Sequence, residues 1–480
     1  MNGNSQDIQL KQFEQSLQSG KLHEKEIKDF FHLNADISFF PVQDPHFTAF
    51  YSEGMIDVTQ LNDYMNRVMS HLIDSDERSG DLPPIAVIKD TEKMIEKVFS
   101  GYLILHKGPD SHFYSVNIAK VPQRNTEESK TEIALKGSRD GFIEDININI
   151  ALLRKRLKSE KLNNETFELG SLSQTKVSLL YLRHKADKGT IDEVRKRLNQ
   201  LDIESILSTG QLEQWISDRT YSLFPLFDYI TRPDFAVESL LRGRFLIIVD
   251  GSPSILIGPI NLLALLKSPE DVHYPFYFVT LQRMMRILGL HIAIFIPALY
   301  IAIANVNIDQ LPFPLLATIV VSRHGIPFSL PLEAFLILIL FELIREAGIR
   351  MPTAVGQTIS IVGGLIIGDA AIRAGLTSPT LLVVMAVAAV ATYTLVNQSL
   401  TGSVTILRIY CMLLATFLGV YGFVISCLSI IIYLAQLESF KVAYLEPIAS
   451  LRFKEYLAAL VTDPLKRKYF DSTIPKKSRR

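Results

Sequence analysis

Between Leu281 and Leu437 the chain runs for 157 residues with 7 Arg, 5 Asp or Glu and no Lys. About 8% of that block is charged, whereas the other 323 residues carry 87 of the 99 formal charges. A soluble core of such length would show polar faces, so the pattern excludes a wholly soluble protein and points to helices in lipid. The only cysteines, Cys411 and Cys427, both lie inside the block, which excludes an extracellular disulfide scaffold.

The net charge of −1 hides a polarity: residues 1–280 sum to −8, the apolar block to +2 and residues 438–480 to +5. An acidic N-terminal portion argues against nucleic acid as its partner, because phosphate binding needs a basic patch. The tail, with Lys466, Arg467 and Lys468 and then Lys476, Lys477, Arg479 and Arg480, reads either as a segment held at a cytoplasmic membrane surface or as a solvated end. The opening MNGNSQDIQLKQFEQ lacks the apolar core of an export signal. Both termini are therefore expected in the cytoplasm, which requires an even number of crossings.

Residues 1–35 are polar and read as a loosely attached N-terminal arm. Short β-branched runs then alternate with amphipathic helices, which predicts an α/β cytoplasmic domain of two subdomains, 36–136 and 137–270. Candidate strands are Ile85–Lys89, Tyr102–His106, Tyr114–Ala119 and Val177–Leu182; candidate helices include Val58–Ile73, Thr91–Phe99, Phe142–Lys158 and Ile191–Leu201. The charged stretch Val121–Arg139 marks the divide. Phe245–Pro259 (FLIIVDGSPSILIGP) is apolar enough to pass for a membrane span. Asp250-Gly251 and Ser252-Pro253 at its centre favour two buried strands joined by a turn.

The remainder reads as an all-α multi-pass transmembrane domain, 281–437, and a short basic cytoplasmic tail, 438–480. Leu281–Ala304 is long enough to cross, with Arg283 and Arg286 on its cytoplasmic side. Pro312–Val321 is too short for a straight span and, bracketed by Pro312, Pro314 and Pro327, reads as re-entrant or broken. Leu330–Ile344, Ala354–Ala374, Thr380–Val396 and Ile406–Leu434 follow, giving four firm crossings and two doubtful ones.

No phosphate-binding glycine loop is present, and neither the ten histidines nor the two cysteines show metal spacing. Catalytic residues, cofactor and metal are therefore not expected, nor is an enzyme. Gly356, Ser360, Gly364 and Gly368 recur every four residues, a ridge that lets helices approach closely in lipid. The opposite face carries Thr358, Val362, Leu365, Asp369 and Arg373, a stripe that either lines a water path or packs on a partner. Glu333, Glu342, Arg345, Glu346 and Arg350 cluster around one segment, with Asp369 and Arg373 a turn apart on the next. Ionisable groups at membrane depth cost at least ~2.5–3.5 kcal/mol each and face protein or water. The pattern fits an ion path or, for Arg345, Glu346 and Arg350, a helix end in the interface.

Three stretches, GSRDGFIEDININIALLRKRLK (Gly137–Lys158), RPDFAVESLLRGRFLIIVDGSPSILIGP (Arg232–Pro259) and PLEAFLILILFELIREAGIRMP (Pro331–Pro352), resemble the A subunit of the GerA-type nutrient germinant receptors of endospore-forming bacteria. The resemblance runs from about Asp36 to Pro464. It implies a multi-pass protein of the spore inner membrane. The implied partners are a transporter-like B subunit that binds the nutrient and a C lipoprotein, and the implied assembly is a pentameric homo-oligomer whose central pore releases cations early in germination. The competing expectation is a secondary transporter or permease that binds a solute near the broken helix between Pro312 and Pro327, although no internal repeat is evident.

Overall fold

The computed structural model describes residues 13–19, 22–42, 47–62, 64–65, 68, 84–108, 110–120, 140–350, 368–446 and 448. The expected divide at Val121–Arg139 and most of Ala354–Ala374 lie outside them, as does part of Val58–Ile73.

Two five-stranded sheets open the chain. The first comprises β1 (Ile37–Phe40), β2 (Phe47–Ser52), β3 (Ile85–Ile88), β4 (Tyr102–Lys107) and β5 (Phe113–Asn117) in the order β1-β2-β4-β5-β3, antiparallel throughout. Helices α1 (Glu24–Phe30) and α2 (Thr91–Val98) close one face, where Ile27, Met94 and Val98 meet Phe50, Ile104 and Phe113. Phe13 and Leu17 are buried in that same cluster. From Phe13 onward, the stretch expected as a loose arm is therefore packed, because its few apolar residues fall on one helical face.

The second sheet orders β6 (Leu162–Leu169), β7 (Thr175–Leu182), β9 (Phe245–Val249), β10 (Ile255–Gly258) and β8 (Asp228–Ile230), again antiparallel. Its helices are α3 (Ile146–Arg156), α4 (Lys188–Gln200), α5 (Thr209–Ile216) and α6 (Pro233–Leu241). α3 begins at Ile146 and not at Phe142, because the Asp145 carboxylate caps it by accepting from the Asn147 and Ile148 amides. The expected β-hairpin stands: Ile247 pairs with Leu256 and Leu246 with Ile257 around the Asp250-Gly251 turn, with Gly251 at φ +81°. All five β9 residues are buried since the sheet is covered on both sides. Leu246 and Ile248 face α3 and α6, while Phe245, Ile247 and Val249 join a cluster that continues into the helical region.

The two sheets are joined by a buried ion pair. Arg154 Nε and Nη2 donate to Asp36 Oδ2 and Oδ1 at 2.8 and 2.7 Å, and the guanidinium lies 4.0 Å over the Phe99 ring.

The helical region comprises α7 (Phe276–Ile301, extended by a π-turn to Val306), α8 (Phe313–Ser322), α9 (Leu330–Arg350), α10 (Gly368–Arg373), α11 (Pro379–Thr392) and α12 (Gln398–Gln436). Phe276–Val306 and Gln398–Gln436 are long and apolar enough to cross a membrane. α12 is not the single tilted span expected from the sequence. At Gly419 the backbone leaves helical geometry (φ 60°, ψ −138°) and the chain doubles back. Tyr410 and Ser429 hydroxyls, 19 residues apart, lie within 2.9 Å. In a straight helix they would stand about 28 Å apart.

Both ends of this hairpin reach the second sheet. Asn397 Nδ2 donates to Asp228 Oδ1 at 2.6 Å, and Tyr433 Oη accepts from the Leu223 amide. The chain then returns onto the sheet, where Phe440 packs edge-on to Phe227 and Phe245. The hairpin tip meets the far end of α7, where Asn307 Oδ1 accepts from the Val420 amide at 2.9 Å.

Candidate functional site

Among the described residues, three constellations of ionisable groups stand within the apolar helices. At the end remote from the sheets, Glu333 on α9 is fully buried, and its Oε1 accepts from Thr377 Oγ1 at 3.2 Å, from Ser378 Oγ at 2.7 Å and from the Ser378 amide. Its other oxygen, Oε2, stands 3.6 Å from Arg323 Nε, an ion pair without a hydrogen bond. Beside it Thr380 Oγ1 bonds both Tyr300 Oη and Ser322 Oγ at 3.0 Å, tying α7, α8 and α11 together.

The second constellation lies nine residues along α9, about 13 Å nearer the sheets. Glu342 pairs with Arg345 at 2.5 Å and accepts from Thr405 Oγ1 of α12 at 3.0 Å. The third is Arg408, one turn beyond Thr405. It is buried, its Nε donates to the Ala293 carbonyl at 2.6 Å, and its Nη2 bonds Thr392 Oγ1. Arg408 thereby joins α7, α11 and α12 with no carboxylate in contact among the described residues. A guanidinium held this way in an apolar bundle is a costly feature that packing alone does not require.

The expected charge cluster is therefore divided: Glu333 belongs with Arg323, Glu342 with Arg345, and Glu346 is exposed. Arg350 ends α9. The reason is geometric, since residues nine apart on a helix cannot share one site. Of the glycine-ridge helix, Gly356, Thr358, Ser360, Val362, Gly364 and Leu365 lie outside the described residues. Gly368 is buried, and a Cβ placed there would meet Leu382 at an ordinary 3.5 Å. Asp369 and Arg373 form an ion pair at 2.7 Å with side chains 59% and 79% exposed, so the pair adds little stability. Arg283 and Arg286, expected on the cytoplasmic side of the first crossing, lie in the first turns of α7. They are buried, and both bind Asp271 at 3.0 Å.

Arg323 and Arg408 were not singled out from sequence. The available signal was that each is an arginine in a block without lysine, beside a hydroxyl residue (Ser322) or a turn from one (Thr405). Among the described residues no three His, Cys, Asp or Glu side chains converge as metal ligands.

Residues 24–472 match the family of the Bacillus/Clostridium GerA spore germination protein. The chain is 43% identical over 376 residues to spore germination protein XA of Bacillus anthracis, covering 78% of this chain and 76% of that one. It is 31% identical over 413 residues to spore germination protein KA of Bacillus subtilis, covering 84% and 76% respectively. A crystal structure of the N-terminal domain of the A subunit of the Bacillus megaterium spore germinant receptor GerK3 aligns at 27% identity and a TM-score of 0.37, over 49% of this chain and 92% of that one. With a family match across nearly its whole length and a relative at 43% identity, the chain belongs to the GerA family of spore germination proteins, as a GerA-type A subunit.

Proposed function

We propose that this A subunit is a multi-pass protein of the spore inner membrane that assembles with copies of itself into a nutrient-gated cation channel opening early in germination. A role in germination follows from its relatives. The rest is our reading. The observation that carries it is the set of ionisable groups held among apolar helices, Glu333 with Arg323, Glu342 with Arg345, and Arg408. Such groups are retained in lipid-embedded bundles where charge must pass or a gate must be held. The chain enters its helices at Phe276 and leaves them at Gln436 beside the same sheet, which supports an even number of crossings and both termini in the cytoplasm. A transporter-like B subunit that binds the nutrient and a C lipoprotein complete the receptor in this reading.

The conducting helix is assigned to 354–374, with Thr358, Val362, Leu365 and Asp369 toward the pore and Gly356, Ser360, Gly364 and Gly368 toward neighbouring helices. The outward placement of Asp369 on the single chain suits a residue that meets the axis of a ring. Val362→Ala is expected to widen the apolar constriction and release ions from spores without nutrient, and Gly364→Leu to prevent recovery of the assembled receptor from membranes. Wild-type ion release in the first variant, together with normal assembly in the second, would place the pore elsewhere.

The transporter reading has one feature in its favour, a groove of about 580 Å³ between α7, α8 and α11 at the broken segment. Its walls are Ile, Leu, Val and Ala, and two of its hydroxyls, on Tyr300 and Thr380, bond each other. It lacks the convergent polar groups a solute site needs.

A further inference from the structure

The junction between the second sheet and the helices holds one buried and one half-buried cation without acceptors, Arg244 and Lys267. Arg244, at the residue before β9, is 3% exposed, and its guanidinium makes no hydrogen bond or ion pair with any described residue. Lys267 follows the single helical turn Leu262–Leu265, and its ammonium is likewise unpaired among the described residues. Burial, then the neighbouring Arg242, Arg283 and Arg244, push the Lys267 ammonium well below the usual lysine range. Burial, then Arg242, lowers Arg244 to about 10.

Arg242, Arg244, Lys267 and Arg283 line one small cavity with Glu238 and Asp271, and Asp228 also acts on Arg244 from nearby. Both lining carboxylates are committed, Glu238 to Arg242 and Asp271 to Arg283 and Arg286. Leaving the buried Arg244 guanidinium unmatched is costly, and in native proteins such a group has a water, an ion or a ligand.

Lys267 also lines a second cavity, of about 250 Å³, shared by β8, Ser254 and residues 396–399. This is where α12 begins. Asn397 Oδ1 caps it by accepting from the Leu400 amide, whereas the Gln398 and Ser399 amides have no partner within the helix, and both residues line this cavity. A helix start of this kind attracts anions. Asp228 forms part of the wall, with Oδ1 already taken by Asn397. The exposed Phe276, Tyr277 and Phe278 at the start of α7 follow closely in the chain, as aromatic side chains do at a headgroup layer.

We propose that Lys267 and the first turn of α12, with Arg244 behind them, bind a phosphate-bearing anion between the sheet domain and the helices. The phosphate sits in the larger cavity on Lys267 and the α12 amides, and its charge offsets the excess held by Arg244 behind. The ligand is either a free phosphate compound or the headgroup of an anionic phospholipid, and it links the sheet to the hairpin that enters the bundle.

The test uses the full chain in lipid nanodiscs, followed by thermal unfolding. One arm adds inorganic phosphate against chloride at equal ionic strength. The other compares discs of phosphatidylglycerol with discs of phosphatidylcholine. The midpoint is expected to rise in one arm, phosphate identifying a soluble ligand and phosphatidylglycerol a headgroup. Lys267→Met is expected to weaken that response at least tenfold while melting no lower than wild type without the anion, because it removes an unmatched charge. Arg244→Gln gives the same reading should Lys267→Met fail to fold. No response of wild type in either arm overturns the proposal, as does an equal response in wild type and variant.

Discussion

Replacing Gly419 by alanine tests the corner on which the α12 hairpin depends. At φ 60° and ψ −138° only glycine is comfortable, and holding an L-residue there costs about 1–3 kcal/mol. A Cβ at this position would also overlap the Asn307 amide oxygen and stand 2.7 Å from Val306 Cγ1. Asn307 must then give up its bond to the Val420 amide, which caps the returning helix, at about 1 kcal/mol more. The sum is roughly 2–4 kcal/mol, a large part of the ~5–15 kcal/mol that holds a typical domain folded.

The two natural cysteines supply the assay. Cys411 and Cys427 flank the corner, and a straight helix would hold them about 24 Å apart. In the hairpin they stand near the Tyr410–Ser429 contact. A short membrane-permeant bis-maleimide, adding one thiol to each of its double bonds, should join them within one chain of the solubilised wild type. Gly419→Ala should lower both the yield and the melting midpoint. An unlinked wild type, with Gly419→Ala melting as wild type does, would mean that α12 runs straight and that the doubling-back is wrong.

Two further outcomes concern the sheets. Asp36→Asn leaves the buried Arg154 guanidinium without its charge partner and is expected to destabilise the chain by about 3–5 kcal/mol in denaturant unfolding, with Asp36→Asn/Arg154→Met recovering part of the loss. His106 is buried against Phe113, and burial lowers its pKa below the ordinary 6.5, so the unfolded chain takes up a proton that the folded chain refuses. Its contribution is present above pH 6.5 and is lost as pH falls from 6.5 towards the folded pKa; His106→Gln should therefore lose less stability than wild type between pH 7.5 and 5.5, and equal losses would refute the assignment.

The hairpin at Asp250-Gly251 was legible because turn chemistry interrupts an apolar run that is otherwise buried on both faces. β6 was not: LNNETFEL carries polar residues that a sheet-edge strand, half exposed along its length, tolerates. The corner at Gly419 was equally silent, since glycines within an apolar stretch, here Gly419 and Gly422, are common in membrane helices. Such a glycine breaks the helix only when a partner such as Asn307 stands ready to cap the returning segment. Among the charged residues, proximity in sequence was a poor guide. Glu333 finds Arg323 across the α8–α9 turn, whereas Glu342, on the same helix, meets Thr405 of α12.

The subdomain read from the sequence as 137–270 also packs on residues from beyond the last helix. Phe227 and Phe245 on its lower face are covered by Phe440, which comes after the last helix, and Ser439 Oγ and Tyr444 Oη donate to the Leu226 and Pro225 carbonyls at 3.0 Å. Asn397 holds Asp228 where the hairpin begins, and Tyr433 holds the Leu223 amide near where it ends. Segments more than two hundred residues apart thus complete one hydrophobic layer. The hairpin cannot tilt as a unit without breaking contacts at both of its lower ends, and β8 cannot move without pulling on Asn397. Displacing the sheet relative to the hairpin would therefore have to break the Asp228–Asn397 bond and the Phe440 seat.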